Sequence, residues 1–369
     1  MTANATTLTP ETAGLVPETF PFYRFAGTHR EIGAQYGEAC RELIHRHRDL
    51  ALARLDEKAG VARAAALARA LDYRPWVLRY AAFFDDELQG LAEAANLTLA
   101  EAYLLQLRAE LATPVVENDE CTGFAILAEA TSDGTPLIGQ NADLPAFYAQ
   151  IGVVGELVPD DQPAILRLLP AGQVSYSGIN DAGVGCCANF LTCDGWRMGL
   201  PRYFLSRLAL TLTTVDDAVA VVRSVRRASS RNLLLLDSHG AAADLETTPT
   251  RDARLDPEDG LLAHANHYVA PDLVDEERSP APNVANSRVR QARMEALLRE
   301  RRGELNAEVM HSILRDRACH PDNLCRQPGD LDTDVITFAS VIAEPTRGRL
   351  TVAVGPPHEH AYVTHTFSS

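Results

Sequence analysis

Cys121 is the residue that most constrains what this chain can form and do. It lies one third of the way along 369 residues, after the acidic segment 117–120 and before the apolar, strand-like run 124–130. A polar, acidic segment of this kind is a typical place for a chain to be cut. If the bond before Cys121 breaks, one residue carries both a thiol and an α-amine, whose pKa of about 8 lets it act as a base at neutral pH. A nucleophile paired with an amino-terminal base is a known solution to amide chemistry.

A structural role is the alternative for any one of the seven cysteines, because free cysteine is among the most buried residue types. Cys186 and Cys187 lie in an apolar run typical of a buried strand, and Cys40 lies on a helical pattern. Cys121 alone begins a strand directly after an acidic segment. Its position therefore favours Cys121 as the candidate nucleophile.

Charge and composition argue against several classes of partner. A net charge of −16 is unfavourable for binding nucleic acid or an anionic membrane, and it fits a small-molecule substrate. No apolar run reaches the length of a membrane span, and residues 1–10 lack the pattern of a secretory signal. The cysteine count is odd and a chain of this length needs no disulfides, so we expect reduced thiols and a cytoplasmic protein.

The chain predicts a mobile tail at 1–20, a mostly helical segment at 21–120 and a catalytic region at 121–369. Helices are predicted at 29–55, 61–70, 75–95 and 99–111, two of them opening with capping boxes at Thr28 and Thr98. Short strands are then predicted at 123–130, 136–141, 151–158, 164–170, 174–179, 184–191, 232–237, 241–247, 261–268, 335–344 and 348–354, with helical pairs at 201–225 and 287–317. Antiparallel strands with grouped helices predict a layered α+β protein.

Three polar residues at strand ends are candidates for a site around Cys121. Asp143 is either a loop-capping aspartate or a carboxylate that holds the new ammonium group or a substrate amine. Asn189 and Asn232 each border an apolar strand, where the amide either caps the strand or donates to an oxyanion. One such donor is worth roughly 100- to 1,000-fold in rate, and two asparagines make this role more credible than one.

Two histidines and two arginines complete the candidates. His264 and His267 are three residues apart, and such positions in a strand face opposite sides, so we expect no metal site and a hydrogen-bonding role for His267. Arg288 and Arg290 are predicted in the first turn of a helix, where a cation opposes the macrodipole. Binding a substrate carboxylate is one reason for a cation there.

An ordered set of motifs resembles a known family. The motifs are Gly27–Gly37, Cys121–Thr122, Gln140–Asp143, Gly178–Val184, Ala228–Asn232, His264–His267, Asn323–Arg326 and Val354–Pro357. Together they resemble the acyl-coenzyme A:6-aminopenicillanic acid (isopenicillin N) acyltransferase family, which is also classed as cysteine peptidase family C45. These are self-cleaving amino-terminal-nucleophile enzymes, and the resemblance extends from about residue 21 to the end of the chain.

The resemblance implies a four-layer αββα sandwich and a precursor that cuts itself before the nucleophile into two chains that stay together. It places the nucleophile at Cys121, a substrate-contacting aspartate at Asp143 and oxyanion donors at Asn189 and Asn232. The fungal penicillin enzymes have glycine before the nucleophile, whereas this chain has Glu120, which lacks the backbone freedom of glycine.

The resemblance also places a substrate-binding arginine at Arg288, with Arg290 as the alternative, and further substrate contacts at Thr122 and His267. It implies no cofactor or metal. The partners are a small amide or a thioester, with acyl-coenzyme A as one possibility, and an amine. We therefore predict an N-terminal-cysteine amide hydrolase or N-acyltransferase. A plain amidohydrolase, for example of the β-alanyl-amide type, and an uncut, non-catalytic family member are the alternatives.

Overall fold

The computed structural model describes residues 16–112, 120–331 and 333–368. The predicted tail lies outside these residues as far as residue 15, whereas Phe20 at its end is buried. Residues 117–119 of the predicted cleavage segment also lie outside the described ranges. All seven cysteines lie within them, and all are free thiols.

The segment before Cys121 is mostly helical, as predicted. Its helices are α1 (His29–Ala39), α2 (Arg41–Ala59), α3 (Arg63–Leu71), α4 (Arg74–Ala95), α5 (Leu99–Leu104) and α6 (Arg108–Leu111). Both predicted capping boxes are present, at Thr28 and Thr98. The helix predicted over 29–55 breaks at Cys40, whose backbone angles (φ −109°, ψ 16°) are not helical. Within the described ranges, no helix has both the length and the apolar character needed to cross a membrane.

Strands dominate the rest of the chain. In chain order the strands are β1 (Phe22–Gly27), β2 (Glu120–Ile126), β3 (Leu137–Pro145), β4 (Gly152–Pro159), β5 (Ile165–Pro170), β6 (Ser177–Asn180), β7 (Val184–Asn189), β8 (Arg231–Asp237), β9 (Ala242–Thr247), β10 (Asp252–Leu255), β11 (Leu261–His264), β12 (Val335–Glu344), β13 (Arg349–Val354) and β14 (Tyr362–Thr366). Four further helices interrupt them. They are α7 (Arg202–Ala209), α8 (Val215–Ser224), α9 (Ala281–Glu300) and α10 (Ala307–Leu314).

The strands form two sheets that pack face to face. The larger sheet has the order β1-β4-β5-β6-β7-β8-β9-β10, and the smaller has the order β11-β2-β3-β12-β13-β14. β2 and β3 pack against β7 and β8 between the sheets. α7 and α8 cover the larger sheet, and α9 and α10 cover the smaller one. This is the predicted α+β, four-layer αββα sandwich.

A buried charge cluster joins the helical segment to the larger sheet. Glu87 on α4 accepts hydrogen bonds from Arg207 on α7 and, at 3.3 Å, from Arg167 on β5. Burial alone raises the pKa of Glu87, but the charge of Arg207, the nearby ring of His29 and the charge of Arg167 together lower it to about 2. Removing one partner of such a buried pair leaves an uncompensated charge, which is strongly unfavourable. The cluster therefore stabilises the contact between the helical segment and the larger sheet.

Candidate functional site

Cys121 is the second residue of β2, and its side chain lies between the sheets with 3% exposure. Gly123, two residues further on, lets the larger sheet approach closely. A Cβ at Gly123 would lie 2.6 Å from Cδ1 of Leu234 and 3.5 Å from Oδ1 of Asn189. Because alternate residues of a strand share a face, the thiol of Cys121 faces the larger sheet as well.

The backbone of Cys121 is held by two side chains. Its N–H donates to Oδ1 of Asn266 at 2.7 Å. Nη1 of Arg290 donates to the carbonyl oxygen of Cys121 and to Oγ1 of Thr122, both at 2.7 Å. Nη2 of Arg290 donates to Oδ1 of Asn266 at 3.0 Å. Asn266 and Arg290 therefore fix both the amide nitrogen and the carbonyl group of the candidate nucleophile.

The structure separates the two arginines that the sequence left as alternatives. α9 begins at Ala281 with Pro282 in its first turn, a favoured start for a helix, so both arginines lie in mid-helix. The prediction that they occupy the first turn is therefore wrong. Arg290 is buried and contacts Cys121, whereas Arg288 is exposed. A substrate-binding role for Arg288 stays a prediction.

Asn266 is the site residue that the sequence reasoning missed. Its own N–H donates to Oγ of Ser287 at 2.7 Å, and its Nδ2 donates to the carbonyl of Phe190 at 3.1 Å. These two bonds orient the amide so that Oδ1 faces Cys121. The available signal was its place in the motif 264–267, between two histidines that are more usual candidates for chemistry.

The two histidines of this motif do not share one strand. β11 ends at His264, so His267 lies in the loop that follows, and the ring centroids are 6.5 Å apart. The prediction that strand geometry directs them to opposite sides is therefore wrong. Nδ1 of His267 lies 2.8 Å from Oγ of Ser287, and burial, His264 and Arg288 lower the pKa of His267 to about 4. Among the described residues, no group of three or more His, Cys, Asp or Glu side chains is placed to hold a metal ion.

Asn189 and Asn232 lie directly opposite each other on β7 and β8, and both are fully buried. Nδ2 of Asn189 donates to the carbonyl of His264 at 2.7 Å, and Nδ2 of Asn232 donates to Asp244. An amide NH₂ group has two hydrogens, so Asn232 retains one for another acceptor, whereas Nδ2 of Asn189 also lies 3.5 Å from Nδ1 of His264. The role of both asparagines as oxyanion donors stays a prediction.

A buried carboxylate–histidine network lies behind the two asparagines. Nε2 of His264 lies 2.8 Å from Oε1 of Glu246. Burial alone lowers the pKa of His264, but the charge of Asp244 and the hydrogen bond with Glu246 raise it to about 9. Burial raises the pKa of Asp244 to about 7. The network orients Asn232 through Asp244, a carboxyl group that titrates near neutral pH.

Asp143 is fully buried on β3, opposite Glu120 in the register of β2 and β3. Its Oδ1 accepts a hydrogen bond from Oγ1 of Thr337 at 2.6 Å. Burial first, and then the charge of Asp143, raise the pKa of the Cys121 thiol to about 11. The thiol is therefore protonated at neutral pH, and it needs a base to become a nucleophile.

A cysteine near the start of an inner strand, between two packed sheets, is the arrangement of the amino-terminal-nucleophile enzymes. The chain belongs to the acyl-coenzyme A:6-aminopenicillanic acid acyl-transferase family, whose model matches residues 130–359, more than half of its length. The resemblance found in the sequence is thus confirmed. Membership of this family indicates an amide hydrolase or an acyltransferase. The matched range begins after Cys121, and no curated protein matches the chain.

Two solved structures are similar to this chain at low sequence identity. A mutant of conjugated bile acid hydrolase from Clostridium perfringens is 13% identical, with 67% of this chain and 97% of that chain covered and a TM-score of 0.49. Penicillin V acylase from Agrobacterium tumefaciens is 14% identical, with 63% of this chain and 83% of that chain covered and a TM-score of 0.41. Neither similarity bears on the substrate of the present protein.

Proposed function

We propose that this protein is a self-cleaving N-terminal-cysteine enzyme that transfers or hydrolyses the acyl group of a small N-acylated or thioester substrate. The observation that carries the proposal is the 2.7 Å hydrogen bond from the backbone nitrogen of Cys121 to Oδ1 of Asn266. After cleavage this nitrogen would be a free amine, and one of its N–H groups would still donate to Oδ1 of Asn266. Its lone pair then remains available for the thiol proton of the same residue.

Self-cleavage is the first proposed step. The thiol of Cys121 attacks the carbonyl carbon of Glu120, so that a C–S bond forms, the C–N bond breaks and the nitrogen takes up a proton. Water then hydrolyses the thioester, which leaves a carboxylate on Glu120 and a thiol and an amine on Cys121. Arg290 holds the carbonyl of Cys121 at 2.7 Å, which keeps the residue in place while the preceding bond changes.

Turnover uses the same residue twice. The amine of Cys121 takes the thiol proton, and the thiolate attacks the substrate carbonyl. Asn189 and Asn232 donate to the oxyanion, and buried Asp143 favours the ammonium form that results. The leaving group departs with the proton, and water or a second amine resolves the acyl-enzyme.

Intact mass spectrometry tests the cleavage step. The purified protein is expected as two chains, residues 1–120 and 121–369, while Cys121→Ala remains at full length. Cys40→Ala is the matched control, because it also removes a buried thiol and is expected to be cut normally. An intact wild-type chain that still turns over substrate would contradict self-cleavage.

Labelling and product analysis test the catalytic step. A thiol-reactive acyl probe is expected to modify Cys121 in the cut protein, and absence of the adduct would favour a non-catalytic family member. Adding increasing concentrations of an amine to the acylated enzyme separates the two enzyme classes. New amide at the expense of free acid identifies an acyltransferase, and free acid alone identifies an amidohydrolase.

A further inference from the structure

A cavity of about 250 Å³ opens between strands β9 to β11 and helix α9. Its apolar wall is formed by Leu255, Leu261, Leu262, Ala263, Val269 and Leu298. Cys121, Asn189 and Asn266 do not line it, and β11 pairs with β2 only from Gly123 onwards. The cavity is far larger than one water molecule requires. It is therefore a space that the proposed reaction at Cys121 leaves unused.

Asp244 is the most buried polar residue of this cavity. It is 1% exposed, whereas the side chain of Asp256 at the opening is 72% exposed. The outer carboxylates have arginine partners, since Asp256 pairs with Arg254 at 2.8 Å and Glu295 pairs with Arg299 at 3.3 Å. Within the described part of the chain, Asp244 has no arginine or lysine partner. A cationic ligand in the cavity would supply one.

The charge balance around Asp244 leaves room for one positive charge. His264 is a cation at neutral pH, because its pKa is raised to about 9, and it pairs with Glu246 at 2.8 Å. This pair is balanced without Asp244. An ionised Asp244 therefore adds a buried negative charge, which is unfavourable without a counter-ion, and burial raises its pKa to about 7. One cation in the cavity would complete the balance.

We propose that this cavity is an effector site for a small primary ammonium ion with a short hydrocarbon chain, which pairs with Asp244 and acts through it on Asn232. Oδ1 of Asp244 accepts the hydrogen bond from Asn232, and a carboxylate has a second oxygen, Oδ2, for the ligand. The hydrocarbon chain would lie against the apolar wall, as in other small-molecule sites. The effector role rests on the proposed function.

The effect on Asn232 follows from the charge of its acceptor. A cation beside Asp244 keeps this side chain ionised, and a hydrogen bond to an ionised acceptor is stronger than one to a neutral acceptor. The bound ligand thus holds the amide of Asn232 more firmly. Because Asn232 is a predicted oxyanion donor, an occupied cavity is expected to increase the rate at which Cys121 is acylated.

Three matched ligands test the site. n-Butylammonium, which is a cation at neutral pH like the side chain of lysine, is compared with n-butanol and butanoate at equal ionic strength. The cut enzyme is titrated with each ligand, and the shift in melting temperature with ligand concentration gives the dissociation constants. We expect n-butylammonium to bind about tenfold or more tightly than the other two, as a charge-assisted hydrogen bond supplies.

Variants assign the binding to this cavity. Asp244→Asn keeps the size of the side chain and is expected to bind n-butylammonium no better than n-butanol. Ala263→Leu fills part of the cavity, leaves Asp244 in place and is expected to bind neither ligand. Glu258→Gln is the control, because it removes an 83% exposed carboxylate at the opening and is expected to retain the preference for the cation.

The effector role is measured as the initial rate at which the acyl probe modifies Cys121. In the wild type this rate is expected to rise about two- to tenfold at saturating n-butylammonium, as one strengthened hydrogen bond supplies. In Ala263→Leu the rate is expected to stay constant. An amine that reacts only as an acyl acceptor would act equally in both proteins, so the variant separates the two effects.

The inference is overturned if n-butanol or butanoate binds the wild type as tightly as n-butylammonium, or if Asp244→Asn or Ala263→Leu retains the preference for the cation. Binding that leaves the rate of acylation unchanged overturns the effector role. Failure of the proposed function is a different result, namely no adduct at Cys121 in the cut protein without ligand. The melting temperatures still test the cation site in that case.

Discussion

Oδ1 of Asn266 accepts hydrogen bonds from the backbone nitrogen of Cys121 at 2.7 Å and from Nη2 of Arg290 at 3.0 Å. A neutral amide at this position does not stabilise an ammonium ion as a carboxylate would, and the cation of Arg290 disfavours it further. Both effects favour the neutral form of an α-amine at Cys121 and oppose the effect of Asp143, which favours the ammonium form. The pair thus favours the form of the amine that can accept the thiol proton.

Replacing Asn266 by aspartate is expected to impair catalysis at low pH. The carboxylate keeps the acceptor but favours the ammonium form, so the pKa of the α-amine rises and the acid limb of the kcat/KM profile moves to higher pH by roughly one unit. The measurement is the pH–rate profile of the cut protein. Asn306→Asp, which changes the capping residue of α10, is the control and is expected to leave the profile in place. An unshifted limb in Asn266→Asp would count against the amine as the base.

Asp244 is expected to make stability depend on pH. Burial raises its pKa from 3.8 to about 7 in the folded protein, so between these values the folded state binds the proton more strongly than the unfolded state. Stability contributed by this group therefore falls as pH rises through that window. We therefore compare the free energy of unfolding of Asp244→Asn with that of wild type. The difference is expected to grow by roughly a few kcal/mol in favour of the variant between pH 4 and pH 7, and not to grow further above pH 7. Denaturant unfolding measures this, with the exposed Glu258→Gln as control. A constant difference at all pH values would contradict the shift.

Glu87 is expected to hold the two cut chains together. Its folded pKa of about 2 lies below the ordinary 4.5, so its stabilising contribution is complete above pH 4.5 and is lost as pH falls towards 2. Glu87→Gln leaves Arg207 and Arg167 buried without their carboxylate, at a cost of about 3–5 kcal/mol. Size-exclusion chromatography of the cut protein in mild denaturant is expected to show earlier separation of the chains in the variant. Exposed Glu93→Gln is the control. Equal retention of both chains in the two variants would rule out this role.

Gly123 is expected to tolerate alanine only when Leu234 is shortened. The added Cβ would lie 2.6 Å from Cδ1 of Leu234, at the flexible end of that side chain. Overpacking of this kind costs about 1–3 kcal/mol, so Gly123→Ala lowers the melting temperature. The double variant with Leu234→Val is expected to recover part of the loss. Purely additive effects of the two changes would contradict the contact.

The fold was largely predictable because its signals are local. The capping boxes at Thr28 and Thr98 and the apolar runs of the inner strands each depend on neighbouring residues. β10 and β14 were missed because their residues are only partly buried, so no clear apolar pattern marks them. The start of α9 was predicted at residue 287, near the two arginines, whereas the helix begins at Ala281. Pro282 in its first turn was the signal that the prediction did not use.

Site residues were predictable only where their neighbours in the sequence mark them. Cys121 follows an acidic segment and begins a strand, and both facts are visible in sequence. Asn266 acts across 145 residues of chain through one hydrogen bond, so its place in the motif 264–267 does not by itself reveal the contact with Cys121.

β1 lies upstream of the proposed cleavage point, yet it forms an edge of the larger sheet by pairing in parallel with β4. A fragment that starts at Cys121 would lack this strand and would present the backbone donors and acceptors of β4 to any other extended chain. The upstream chain, residues 1–120, thus covers the edge of β4 with β1 and prevents self-association through this edge. Recombinant expression of the downstream piece alone should give aggregates, and co-expression of both pieces should restore a soluble protein.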